Sequence, residues 1–303
     1  MIQPVLKIAD GMKRCLLAWI YLLILAGCAA PAKQLTVKGM PHYYPVGTII
    51  SGESGQPISF ETLLTELNSA SVIYIGEDHL NPVHHDIQEQ IVTSIYRDTP
   101  HLVIGMEMFD YRYDSVLDSW VTGDLDREAF IRRTHWYANW RYDFDLYAKI
   151  FDTVKRDQIR LVGLNLPFHI PKKIRIGGID GLLQDDRRYC PSHIDTTNQP
   201  HRDYVEGIFR RHTQFLDSIQ FDYFYEAQCA WEDTMAESIA GKIGQGPMIV
   251  LVGNGHIIKK FGIPDRAFAR TKLPFKTLYL ASVGEEVELT YGDYIWVTPQ
   301  IPR

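Results

Sequence analysis

Residues 71–90 read SVIYIGEDHLNPVHHDIQEQ and place a short apolar run directly before a group of polar side chains. Residues 72–75 are apolar on both faces, which predicts a strand buried inside a parallel sheet. Residues 82–96 follow with helical spacing; Asn81 is placed as the N-cap, and a proline occupies the first helical position. This order of strand, turn and helix indicates the first unit of an α/β fold.

Similar units recur along the chain. A helix is predicted over residues 61–67, and further apolar runs bounded by turn residues lie at 102–106, 159–166, 248–252 and 277–281. The alternation predicts an α/β fold with an open, mostly parallel sheet and helices on both faces.

Two long, mostly helical stretches, at about residues 111–150 and 167–240, are longer than a sheet crossover requires. We expect them to form a helical insertion over the carboxyl ends of the strands. Residues 286–297 predict a late antiparallel strand pair with its turn at Gly292 and Asp293.

The N-terminus has the pattern of an export signal. Basic residues at 7, 13 and 14 precede twelve apolar residues, 15–26, which are too few to span roughly 30 Å of hydrocarbon as a helix. Residues 25–28, LAGC, resemble the bacterial lipobox, which predicts cleavage before Cys28 and lipid on that cysteine. An uncleaved N-terminal anchor is the alternative.

The predicted domains follow from that cleavage. Residues 1–27 form a signal peptide, residues 28–47 a lipidated tether broken by glycine and proline, and residues 48–303 a single α/β domain. No aspartate follows Cys28, so in a host with two membranes we expect an anchor in the outer membrane, facing the periplasm or the cell surface.

Charge and cysteine content limit the classes of function. Removing residues 1–27 leaves 28 basic and 36 acidic side chains, a formal charge of −8, which argues against a nucleic-acid-binding protein.

Once Cys28 carries lipid, Cys190 and Cys229 form an even set of cysteines in an oxidising compartment. We predict a disulfide between them that stabilises the fold by about 3–4 kcal/mol. Two buried free thiols are the alternative.

Four predicted strands end in the same manner, with a glycine and, one or two residues later, a polar residue. Two of them carry G-x-x-H, at residues 76–79 and 253–256, and a third carries Glu107. Ligands of open α/β sheets bind beyond the carboxyl ends of the strands. We therefore expect Glu77, His79, Glu107 and His256 to share one cleft, where they could hold a divalent metal or act as general acid and base. The glycines are expected to permit sharp turns and close approach of a ligand. The alternative is that these residues cap helices and satisfy buried backbone groups.

Two neighbouring features leave their roles open. His84 and His85 begin the helix after the first strand; they are either a solvated pair or include at least one side chain that faces the cleft. Residues 135–147, HWYANWRYDFDLY, form either core or a flat aromatic pocket wall with a tyrosine available as a ligand.

A set of motifs in fixed order resembles the ChaN-type haem-binding lipoproteins of the Tiki/TraB/erythromycin-esterase-like superfamily. The match runs from about Ile73 to Arg266 and comprises IGEDH, NPVHHDIQEQ, GMEMFD, WRYDFDLY, LVGLNLP, AQCAWEDTMAESI, LVGNGHI and FGIPDR. The resemblance implies an exported lipoprotein connected with iron acquisition, which binds haem (iron-protoporphyrin IX) in a pocket between two protomers.

The resemblance also implies roles for individual residues. A tyrosine would ligate each haem iron, while a histidine and a lysine from the partner protomer would hold the propionates. The motifs do not decide among the candidates, which are Tyr142, Tyr147 and Tyr189 for the iron, and His169, Lys172 and Lys173 for the propionates. A solvated basic face is the alternative for the last three.

Two functions are therefore predicted. The first is a homodimeric, membrane-anchored lipoprotein that stores or relays haem and works with an outer-membrane haem receptor. The second is a metal-dependent or general-base hydrolase that uses Glu77, His79, Glu107 and His256, with any divalent metal on the two histidines; in other branches of the superfamily the corresponding residues belong to a hydrolytic site. A purely structural envelope protein would leave the repeated G-x-x-H unexplained.

Overall fold

The structure is a computed structural model, and it describes residues 34–212 and 220–301. Eleven strands are found there: β1 (Leu35–Val37), β2 (Tyr43–Tyr44), β3 (Ile49–Ser51), β4 (Pro57–Ile58), β5 (Val72–Glu77), β6 (Val103–Asp110), β7 (Arg160–Asn165), β8 (Met248–Gly253), β9 (Phe275–Ser282), β10 (Glu286–Val287) and β11 (Tyr294–Thr298). The α-helices of the same residues are α1 (Phe60–Leu67), α2 (Pro82–Tyr96), α3 (Asp114–Val121), α4 (Arg127–Arg133), α5 (Trp136–Asn139), α6 (Ala148–Arg156), α7 (His169–Gly177), α8 (Gln184–Arg187), α9 (Gln199–His212), α10 (Phe221–Lys242) and α11 (Ile263–Thr271).

Eight strands form the main sheet in the order β4-β3-β11-β9-β5-β8-β6-β7. The six strands from β11 to β7 are parallel to one another, and β3 and β4 extend the β11 side with antiparallel pairing. The predicted open, mostly parallel sheet is confirmed. A smaller sheet in the order β10-β1-β2 lies beside it.

Strand β5 lies in the middle of the sheet, and all six of its residues are buried. Successive residues point to opposite faces. Ile73 and Ile75 pack in a cluster with helices α1, α2, α3 and α6, whereas Tyr74 packs in a second cluster with α10 and α11. Residues 72–75 can therefore all be apolar because helices cover both faces of the strand.

Two predictions near the chain ends are wrong. Residues 286–297 do not form an antiparallel pair: β10 joins β1 in the small sheet, while β11 lies parallel to β9 and antiparallel to β3. The predicted tether also extends too far, because Leu35 and Val37 are buried in β1 and Tyr44 is buried in β2. The folded body thus already includes β1 and β2, ahead of the predicted start at residue 48.

No helix among the described residues is both long enough and apolar enough to cross a membrane. The signal peptide and the lipidation of Cys28 lie outside the residues that the structure describes.

Candidate functional site

The carboxyl ends of β5, β6 and β8 meet at one edge of the sheet. Glu77, the last residue of β5, is paired in register with Gly253, the last residue of β8. Strand β6 lies on the other side of β8, and its register shifts between Met106 and Asp110. Glu107 lies within that irregularity, a place where strands commonly redirect a side chain.

The two G-x-x-H motifs fit into each other. A Cβ on Gly76 would lie 2.0 Å from Oδ1 of Asn254, inside the second motif. A Cβ on Gly253 would lie 3.0 Å from Cε1 of His79, inside the first motif. Neither glycine has a positive φ. Gly76 lies inside β5 and marks no turn, whereas the chain turns into a 3-10 helix directly after Gly253. Each of the two glycines makes room for the neighbouring motif.

Glu77 is a buried carboxylate that receives several hydrogen bonds. Its Oε1 lies 2.8 Å from Nδ1 of His79 and accepts a 2.7 Å hydrogen bond from the Tyr147 hydroxyl. Its Oε2 accepts a 2.7 Å bond from Nε2 of Gln88 and lies 3.5 Å from Nδ1 of His85. Burial by itself would raise the pKa of Glu77, but the bonds from His79 and His85 hold it well below its usual value. Glu77 is thus an anionic anchor that fixes the ring of His79.

His256 lies between two buried carboxylates. Its Nε2 is 3.3 Å from Oε1 of Glu107, and its Nδ1 is 3.2 Å from Oε1 of Glu232 on helix α10. Burial by itself would lower the pKa of His256, but the two carboxylates raise it to about 10. Glu107 also accepts a 2.7 Å hydrogen bond from the backbone N–H of Gly253. His256 is therefore a cation whose ring is held on both sides.

Glu232 continues this buried charge network, and the sequence analysis did not identify it. Its Oε2 lies 3.3 Å from Nε2 of His201 and 3.5 Å from Nε of Arg266, and Arg266 also pairs with Asp233. A sequence signal existed: two adjacent acids, Glu232 and Asp233, occur within the apolar middle of a 22-residue helix.

A cleft of about 320 Å³ opens above His79 and Glu107. Its aromatic walls are Trp140, Tyr142, Phe168 and Trp231, and its basic side chains are Arg141, Lys172 and Arg175. The His79 ring lies against two of the walls, 4.7 Å from the Trp140 ring and 5.0 Å from the Tyr142 ring between centroids. The arrangement combines flat apolar walls, cations and an anchored imidazole. Residues 135–147 were predicted to form either core or an aromatic pocket wall, and they do both. Trp136 and Phe144 belong to the core, while Trp140 and Tyr142 line the cleft.

The three candidate tyrosines occupy different environments. Tyr142 is half-buried and lines the cleft. Tyr147 is fully buried and donates to Glu77. Tyr189 lines a separate cavity beside helix α10, where the guanidinium groups of Arg112 and Arg188 lie 5.4 Å and 5.1 Å from the centre of its ring. Only Tyr142 of the three lines the cleft above His79.

Helix α7 divides the candidate propionate ligands between two faces. Lys172 lines the cleft together with Arg175. His169 and Lys173 point to Asp186, at 3.7 Å and 2.6 Å, and the His169 ring lies 5.9 Å from the ring of Tyr189. The helical period separates neighbouring lysines in this way. The ligand roles of these residues stay predictions.

His84 and His85 are both buried, so the expectation of a solvated pair is wrong. Nδ1 of His84 accepts from the backbone N–H of Asp78, and its Nε2 lies 2.8 Å from the Thr298 hydroxyl. His85 lies behind His79, where it contacts Glu77 and Gln88. Neither ring lines the cleft, so the expectation that at least one of them faces it is also wrong.

Cys190 and Cys229 are free thiols, so the predicted disulfide is wrong. Cys229 packs with Val205 and Tyr225 and receives a 3.3 Å hydrogen bond from Arg266. Cys190 packs instead against the cluster of Leu166 and Ile170. The two thiols therefore belong to different hydrophobic clusters.

Metal chemistry finds no support in the geometry. Among residues 34–212 and 220–301, no group of three His, Cys, Asp or Glu side chains is arranged to hold a metal ion. The nitrogens of His256 face Glu107 and Glu232. Both ring nitrogens of His256 and Nδ1 of His79 thus face carboxylates.

The family model described as haem-binding uptake, Tiki superfamily, ChaN matches residues 63–267, which include β5, the cleft and His256. The chain belongs to the ChaN family. The resemblance found in the sequence motifs is confirmed, and curated protein sequences gave no match.

One solved structure supports the ChaN fold, and two more distant ones are also similar. ChaN of Campylobacter jejuni, a structure with cofacially bound haem, has a TM-score of 0.68 at 20% identity and covers 82% of this chain and 95% of its own. An erythromycin esterase variant in its open conformation has a TM-score of 0.47 at 12% identity, covering 78% of each chain. The type III effector HopBA1 has a TM-score of 0.44 at 12% identity, covering 80% of this chain and 93% of its own.

Proposed function

We propose that this ChaN-family chain is a haem-binding lipoprotein of the cell envelope that takes part in haem and iron acquisition. The observation that carries the proposal is the cleft above His79 in a chain of this family. Haem presents a flat apolar ring, two carboxylates and an iron. The cleft supplies aromatic walls for the ring, Arg141, Lys172 and Arg175 for the carboxylates, and the Tyr142 phenol for the iron.

Tyr142 is the proposed iron ligand. Its hydroxyl makes no hydrogen bond to any residue that the structure describes, whereas the Tyr147 hydroxyl is committed to Glu77. Bound haem would supply the ferric centre whose positive charge stabilises a phenolate. Burial and then the charge of Glu107 raise the pKa of Tyr142, so the free protein keeps this phenol protonated.

The proposed assembly is a homodimer in which two clefts share their ligands. Exposed apolar side chains flank the cleft-lining residues: Leu80 follows His79, Tyr137 precedes Trp140 by one turn, and Ile176 follows Lys172 by one turn. A second copy of the chain would cover these side chains. Anchoring through lipidated Cys28 and exchange of haem with an outer-membrane receptor complete the proposal.

Hemin titration of the purified mature protein tests this function. We expect a saturable Soret band with a dissociation constant in the micromolar range or below. Lys172→Glu should weaken binding about fivefold, which corresponds to the loss of an ion pair worth up to about 1 kcal/mol. Lys173→Glu is the matched control, because the neighbouring lysine pairs with Asp186 outside the cleft. Absence of binding at micromolar hemin, or equal losses in both variants, would count against the proposal.

A general-base hydrolase is the second candidate, and the Glu77–His79 pair favours it. Glu77 fixes Nδ1 of His79. The His79 ring and the Glu107 carboxylate both lie next to Gly253, since a Cβ there would be 3.1 Å from Nε2 of His79 and 3.6 Å from Oε2 of Glu107. A carboxylate that orients an imidazole is the arrangement by which histidine becomes a general base.

Ester hydrolysis gives this second candidate a direct test. If it is correct, purified protein should hydrolyse a chromogenic short-chain ester, and His79→Ala should lower kcat by roughly two to four orders of magnitude. His84→Ala is the control, since that ring faces Thr298 rather than the cleft. Equal residual rates in both variants would show that the hydrolysis does not use this site.

A further inference from the structure

An exposed surface at the free edge of the small sheet has no role in the cleft. Strand β2 forms this edge among the described strands, because β1 lies between β2 and β10. Tyr43 is 66% exposed and Val46 is 48% exposed, although both are large apolar side chains. Lys38 is exposed on the same short segment. We call Lys38, Tyr43 and Val46 the edge surface.

The length of chain before β1 restricts where this surface can lie. If the anchor were joined to the folded body at residue 48, the intervening chain could span about 70 Å when extended. Buried Leu35 already belongs to the folded body, and it lies only seven residues after Cys28. Seven residues span at most about 25 Å. A body anchored through Cys28 therefore holds its β1–β2 edge close to the bilayer.

The segment that leads into the edge surface carries little charge of either sign. Residues 28–52 contain Lys33 and Lys38 but no aspartate or glutamate, whereas the mature chain as a whole has a formal charge of −8. Lys38 is already paired, because its Nζ lies 3.3 Å from Oε1 of Glu288, directly after β10, and Glu288 also pairs with Lys259. The apolar area of Tyr43 and Val46, rather than net charge, therefore carries the attraction to a membrane.

We propose that the edge surface docks on the headgroup region of a phospholipid membrane. The proposal rests on the lipid anchor of the proposed function and adds an orientation to it. Tyrosine favours the membrane interface because its ring is apolar and its hydroxyl is polar, and Val46 adds apolar area beside it. The acyl chains hold the protein on the membrane, and the edge surface decides which side of the folded body faces it.

An environment-sensitive fluorophore on a single introduced cysteine tests this orientation. The acylated protein carries Cys190→Ser, so that buried Cys229 is the remaining native thiol of the folded body, and the probe is attached at Val46→Cys. Ile176→Cys, at a position that is 82% exposed beside the cleft, is the matched control. On vesicles of phosphatidylethanolamine and phosphatidylglycerol, emission from position 46 should rise several-fold and be quenched by spin-labelled lipid. Emission from position 176 should stay as it is in solution.

Each alternative outcome has a defined meaning. A probe at position 46 that stays in water, or a probe at position 176 that enters the bilayer instead, overturns the docking proposal while vesicle flotation still reports the anchor. If mass spectrometry finds no lipid on Cys28 of the exported protein, the anchor itself fails. A Cys28→Ser chain held by six histidines at its N-terminus on nickel-chelating vesicles then still decides whether the edge surface docks.

Discussion

Replacing Glu232 with alanine is expected to lower the free energy of unfolding by about 3–5 kcal/mol, because the change leaves buried positive charge without its partner. Three cationic or protonatable groups surround the carboxylate: His256 at 3.2 Å, His201 at 3.3 Å and Arg266 at 3.5 Å. Arg266 retains Asp233 in the variant, whereas Glu107 and the neutral Gln228 amide are what remain beside His256. Urea unfolding followed by circular dichroism measures the loss.

Glu237→Ala provides a matched control on the same helix. Glu237 lies five residues further along, is exposed and makes no ion pair with any residue in the described part of the chain. Its replacement should change the unfolding free energy by no more than about 0.5 kcal/mol. A loss below about 1 kcal/mol for Glu232→Ala would mean that the buried network contributes little to the fold.

The difference between the wild type and Glu232→Ala should depend on pH with a definite sign. The pKa of His256 is raised from 6.5 to about 10, so its contribution is complete below pH 6.5 and is lost as the pH rises toward 10. Burial by itself would raise the pKa of Glu232, but His201, His256 and Arg266 lower it below 4.5, so its contribution is complete above pH 4.5 and is lost in acid. The difference should therefore be largest between pH 4.5 and 6.5.

The sequence predicted the sheet because the central strands are covered on both faces. Residues 72–75 and 248–252 carry an uninterrupted apolar signal, and both lie within buried strands. The short strands gave no such signal: β1, β2 and β10 have two or three residues each, too few to establish a period of two. The predictions of a tether over residues 28–47 and of an antiparallel strand pair over residues 286–297 are wrong for this reason.

Part of the candidate site could be predicted from the spacing of residues in the sequence, and the rest depends on how the helices pack. Repetition of G-x-x-H at two strand ends pointed to His79 and His256, since parallel strands end at one edge. Glu232 and His201 could not be placed, because their partners come from other elements and a helical sequence does not record which element covers it. Spacing alone could not rank the tyrosines either, as Tyr142 and Tyr147 are five residues apart and differ mainly in burial.

Tyr142→Phe is expected to weaken hemin binding by at least about tenfold, which is about 1.4 kcal/mol, and to shift the Soret maximum. The substitution removes one oxygen atom and retains the ring that packs against His79. Because the hydroxyl has no hydrogen-bond partner among the described residues, the free energy of unfolding should change little. A selective loss of the iron ligand would thus appear as altered spectra in a protein of normal stability.

Tyr147→Phe should give the opposite result. Its hydroxyl donates to buried Glu77, and removing a buried hydrogen bond to a charged group costs about 1.5–3 kcal/mol. Haem affinity should change less than in Tyr142→Phe, because Tyr147 is fully buried behind the cleft. If Tyr147→Phe shifts the Soret maximum and Tyr142→Phe leaves it unchanged, the ligand assignment is wrong. Haem binding must then open the Glu77–Tyr147 contact.

Tyr189→Phe tests the remaining candidate. A spectral change in that variant would place the haem iron in the cavity beside helix α10 rather than above His79.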